Sequence, residues 1–100
     1  MIGNVRQNGS FVEIYDGNNR MIHCFGPSEQ LAGFNSTCIV CKTISFFCLY
    51  DERGVSIAYV PVGTPNFDIV SVTSSEIRIR QEGSSMISVY GNDGRFVRTE

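Results

Sequence analysis

Three stretches of the chain align without gaps. They are SFVEIYDGNNRMI (Ser10 to Ile22), SFFCLYDERGVSI (Ser45 to Ile57) and SMISVYGNDGRFV (Ser85 to Val97). Each carries Ser, then an apolar run ending in Tyr, then a four-residue loop. The loop ends in Asn19, Gly54 or Gly94. Side chains alternate along a strand, so Val12 and Ile14, Phe47 and Leu49, and Ile87 and Val89 share one face, which is apolar in each copy. The other face is mixed: Phe11-Glu13-Tyr15, Phe46-Cys48-Tyr50 and Met86-Ser88-Tyr90. This period of two argues for half-buried β-strands. The loops suit a type I turn followed by a left-handed residue, a place that Gly fills freely and Asn tolerates next best. Nowhere between the Gly and Asn punctuation do apolar residues recur at helical spacing.

The flanking residues extend each hairpin. Met1 to Gln7 reads as a strand, with Asn8-Gly9 turning into the first copy. Leu31 to Phe34 and Cys38 to Lys42 read as strands around Asn35-Ser36-Thr37. Phe67 to Val72 and Glu76 to Gln81 do the same around Thr73-Ser74-Ser75. Breaks fall at Gly26-Pro27 and at Pro61, Gly63 and Pro65. The sequence thus predicts an all-β domain of antiparallel four-stranded meanders. Their units span about 1–27, which lacks a strand, then 31–62 and 66–100. One such sheet cannot bury its apolar face alone. A propeller-like or prism-like array follows, completed by homo-oligomerisation because the short first unit leaves an open edge.

Composition narrows the function classes. One hundred residues with 42% apolar content make one globular domain. A net charge of -2 speaks against coating a nucleic-acid duplex. No apolar window is long enough for a membrane helix, and MIGNVRQNGS has no signal-peptide core, so a cytoplasmic location is expected. Cys24, Cys38, Cys41 and Cys48 are expected as free thiols. Cys38 and Cys41 form a CxxC, but on a strand these positions face opposite sides, so no metal site is expected. The single histidine, His23, sits on a predicted strand. No nucleophile-base set, zinc-protease motif or phosphate loop is present, so neither an enzyme nor a cofactor is expected. Asp16, Asp51 and Asp93 lie in hairpin loops, where Asp bonds its own backbone.

The candidate ligand-binding residues are Arg78 and Arg80 on one strand face with Glu76, and Lys42 at the position matching Arg80. Arginine forks suit phosphates and carboxylates. Tyr15, Tyr50 and Tyr90 are placed at unit junctions, where a ring with a polar tip can pack or rim a groove.

The stretch GFNSTCIVCKTISFFCLYDERGVSI, together with MIGNVRQNGSFVEIYD, resembles a group of small bacterial and prophage-encoded proteins. The shared features are a Gly-Phe-x-Ser-Thr turn, a Ser-aromatic alternating strand and Tyr-Asp-x-x-Gly. The resemblance covers about residues 1 to 60 and implies a phage or prophage setting in a bacterial host. It carries no activity and no site residues. The expected function is a non-enzymatic, oligomeric binding protein for a host protein or a small anionic ligand. One sharper form is a counter-defence protein that sequesters a cyclic-nucleotide immune signal. Another is a glycan-binding virion or tail module.

Overall fold

The computed structural model describes residues 1–63 and 66–100; Pro65, expected in the second linker, lies outside them. Among the described residues there are eleven strands and no helix. A first sheet holds β1 (Asn4–Asn8), β2 (Phe11–Tyr15) and β3 (Met21–Phe25). A second holds β4 (Gln30–Phe34), β5 (Ile39–Lys42), β6 (Phe46–Tyr50) and β7 (Ser56–Pro61). A third holds β8 (Phe67–Val72), β9 (Glu76–Gln81), β10 (Ile87–Gly91) and β11 (Phe96–Thr99). Every pairing is antiparallel and joins neighbours in sequence, so each sheet is a meander.

Turn chemistry sets the register. Asn19, Gly54 and Gly94 have φ of 63°, 75° and 82°, and each amide bonds back to the residue that opens its loop, Asp16, Asp51 or Gly91. Asp16 and Asp51 each accept two backbone N–H groups through one carboxylate oxygen, at 2.8 and 3.0 Å. These bonds, chiefly the one from Val55, hold the Asp51 carboxyl below its usual range. The third loop starts with Gly91, and Asp93 instead accepts from the Arg95 amide at 3.0 Å. The first turn differs from expectation. Asn8 pairs with Phe11, so Gly9 and Ser10 form the loop, and Gly9 at φ 63° takes the first central place of a type II′ turn.

The three sheets stack face to face. Val40, Phe47, Leu49 and Val60 of the second sheet pack against Phe67, Ile77 and Ile79 of the third. The opposite face of the second sheet presents Ile39 and Cys41 to Ile2, Val5, Val12 and Ile14 of the first unit. Burying each such Val, Leu, Ile or Phe is worth about 1.5–3 kcal/mol. The middle sheet is covered on both faces, so consecutive residues Ile39, Val40 and Cys41 are all fully buried. Among the described residues no core cluster joins the first sheet to the third, and the outer faces of these two sheets are not covered by another sheet.

One assignment of faces is corrected. Ile87 and Val89 do share a face, but that face of the third sheet points outward. Tyr90 pairs with Ile77 and Ser88 with Ile79, so theirs is the side that meets the second sheet. Val89 is nonetheless fully buried, because Arg78 and Arg98 flank it on the neighbouring strands. Hydrophobic alternation identifies two faces but not which of them a neighbouring sheet covers.

Candidate functional site

The strands carry the candidate residues to four separate places. Arg78, on β9, projects from the outward face of the third sheet. Its guanidinium donates to Glu76 at 2.8 Å and to Glu100 at 3.3 Å. Arg98 on β11 donates to the same two carboxylates at 2.6 and 2.7 Å. These bonds, led by those from Arg98, hold Glu76 and Glu100 below the usual carboxylate range. Arg80 shares this face, is exposed, and lies in register with Asp68 and Ile87.

Lys42 takes the matching position in the second sheet, but the third sheet covers that face. Its Nζ sits 4.7 Å from the Phe67 ring centre. Lys42 and Arg80 therefore do not form one basic patch. Lys42 instead lines a cleft of about 550 Å³ with Ser28, Glu29, Gln30 and Thr43.

The tyrosines divide in the same way. Tyr50 lies between the first and second sheets, 4.9 Å from the Phe25 ring, and Tyr90 lies between the second and third, 5.4 Å from Phe47. Tyr15 occupies the same place in the first sheet, on a face that no other sheet of the described residues covers. Its hydroxyl donates to Glu13 at 2.8 Å, and Arg6 donates to Glu13 at 3.1 Å. The Tyr15 bond is the main reason that Glu13 stays low in pKa.

Sequence reasoning missed Glu29, a carboxylate only 7% exposed at the edge of this cleft. Tyr50 donates to its Oε1 at 2.5 Å and Ser28 donates to its Oε2. Burial alone would raise its pKa, but the donors Ser28, Tyr50 and Cys48 outweigh burial and lower it. Burial pushes the Cys48 thiol up to about 11 and Cys41 up to about 12, with the Glu29 charge adding to both. Cys41 and Cys48 face each other across β5 and β6. Glu29 is thus held ionised by three donors, which suits anchoring the linker before β4 and not proton transfer. Only the sequence position after Pro27 hinted at it, since a carboxylate in a linker reads as solvated. Among the described residues no cluster of His, Cys, Asp and Glu could hold a metal ion.

A further place is the outer strand of each sheet. Ile22 on β3, Ile57 on β7 and Val97 on β11 hold equivalent positions and are 43%, 45% and 49% exposed. Met21, Tyr59 and Phe96 beside them are more exposed still. β3 carries no Asp, Glu, Lys or Arg. Comparison with known proteins returns no matching family model, no matching curated protein and no matching solved structure.

Proposed function

We propose that this chain is a non-enzymatic β-repeat binding protein that acts as a homo-oligomer and docks another protein along its outer strands. The observation that carries the reading is the exposed apolar side chain at the matching position on each of β3, β7 and β11. Large exposed apolar surface on a folded protein marks an interaction face. An edge without Lys, Arg, Asp or Glu, such as β3, also offers its backbone for strand addition. A propeller-like arrangement is part of this reading; it is supported by the contacts of β4 with β1 on one side and with β8 on the other. The resemblance of residues 1 to 60 to prophage-encoded proteins supports a bacterial host as the source of the partner.

The test compares the wild type with the triple variant Ile22→Asp, Ile57→Asp, Val97→Asp, both immobilised and exposed to bacterial host lysate. A protein held by the wild type and released by the variant, with the melting temperature kept within a few degrees, supports the reading. Equal capture by both, or by neither, sinks it.

A second reading, binding of a small anionic ligand, is favoured by Lys42, whose ammonium has the Phe67 ring as its contact at a polar cleft. It predicts a thermal shift with a phosphate or carboxylate ligand that is lost in Lys42→Met.

A further inference from the structure

The same junction is built twice within the chain. At each one, the face bearing Tyr of the later sheet packs on the apolar face of the earlier sheet. Tyr50 meets Phe25 among Val12, Ile14 and Ile39, and Tyr90 meets Phe47 among Val40, Leu49 and Ile77. The loops dock in the same way. A Cβ added at Gly54 would stand 2.8 Å from Phe25, and one added at Gly94 would stand 2.7 Å from Ala58. Two faces of this series remain open: the Tyr15 face of the first sheet and the receiving face of the third.

We infer that these two faces join head to tail between two copies of the chain, closing a ring of six sheets. The inference rests on the oligomeric part of the functional reading above and names its surfaces. The first-sheet face offers Phe11 and Met21, 55% and 52% exposed, beside Tyr15, Glu13 and Arg6. The third-sheet face offers half-buried Ile87 and the stems of Arg78 and Arg98, which cover Val89, with Glu76 and Glu100 beside them. Both faces alternate in charge, so the Arg6–Glu13 pair and the Arg98–Glu100 pair can exchange partners across the contact.

The positions framing Val89 show how this junction differs from the internal ones. Val5 and Val40 correspond to Arg78, and His23 and Ala58 correspond to Arg98. Asn19 replaces the loop glycine and carries the Cβ that Ala58 would reject. Opposite Arg98 and Glu100, which are long and 43% and 39% exposed, that Cβ can be accommodated. The junction between chains is therefore the polar version of the junction within them. Both ends must meet for the ring to close, because head-to-tail contacts otherwise run on into filaments. Closure also brings Arg78 and Arg80 of one copy beside Tyr15 of the other, a grouping that a single chain does not contain.

Native mass spectrometry and sedimentation at 1–50 µM test this, taking about that range as ordinary for a stable dimer. The wild type is expected to be a dimer. Tyr15→Arg alone and Arg98→Glu alone are each expected to weaken it at least about tenfold. Phe11→Arg and Arg80→Glu serve as second variants on the two faces, and the melting curve of each single chain verifies folding. Mixing the Tyr15→Arg chain with the Arg98→Glu chain restores one intact junction, so heterodimers appear where neither variant dimerises alone. A monomeric wild type overturns the inference. So does a dimer broken by variants of one face only, which indicates a symmetric contact. The outer-strand triple variant remains dimeric, so loss of partner capture and loss of the ring are read separately.

Discussion

Replacing Gly94 with Ala probes the docking of the third unit on the second. Gly94 has φ 82°, where an L-residue costs about 1–2 kcal/mol. The added methyl carbon would stand 2.7 Å from the Ala58 Cβ and 3.2 Å from Val60 Cγ2. Ala58 has no rotamer with which to yield, so the strand must shift, and overpacking of this kind costs about 1–3 kcal/mol. The sum is about 2–5 kcal/mol. Gly83 supplies the control. Its φ is 80°, but nothing lies within 4 Å of an added Cβ, so Gly83→Ala meets only the backbone cost. Urea unfolding of the two variants, followed by circular dichroism, gives the difference directly. Gly94→Ala is expected to be less stable than Gly83→Ala by about 1–3 kcal/mol. Equal losses would refute the packing of the third loop against β7.

Other outcomes follow from the same contacts. Gly33→Ala places a Cβ 2.7 Å from Val72 Cγ2; the loss in stability is expected to be recovered in large part by adding Val72→Ala, as read by thermal melts. Glu29 has a folded pKa below its ordinary value of 4.5, so its stabilisation is present above about that pH and is lost as pH falls through the lower folded value. Melting temperatures from pH 7 to pH 3 should show Glu29→Gln less stable than wild type at neutral pH, with the gap closing in acid; a constant gap refutes the ionised clamp. A thiol reagent at pH 8 should label exposed Cys24 fast, while Cys41 and Cys48, buried and raised to about 12 and 11, react only after unfolding. Asn35→Ala removes donors to the Thr73 carbonyl and the Asn92 side chain and three acceptor contacts at the turn. Its expected cost is about 1–3 kcal/mol by chemical denaturation.

The strands were legible because turn chemistry is local. Phe67 to Val72 and Glu76 to Gln81 are bounded as their alternation predicts, and Asn19 with positive φ follows from the loop glycines of the other copies. The face directions were not legible for Val89, since a valine between two arginine stems reads the same as a valine under a neighbouring sheet. The grouping of Lys42 with Arg80 failed for a related reason. Equivalent positions in a repeat share a face, yet one such face is covered by the next sheet and the other is not. Glu29 escaped notice because its partners, Tyr50 and Cys48, lie about twenty residues away, a distance that no spacing rule reaches.

The middle sheet, clad on both sides, bears on how such a chain can change in length. A copy of residues 30–61 inserted beside the original would find an apolar neighbour on either side. A copy of the third unit added after itself would have to bury Glu76, Arg78 and Arg98 beneath the newcomer, and a copy of the first unit added before itself would meet the Cβ of Asn19. Of the three units, the middle one is therefore the one whose surfaces best tolerate duplication.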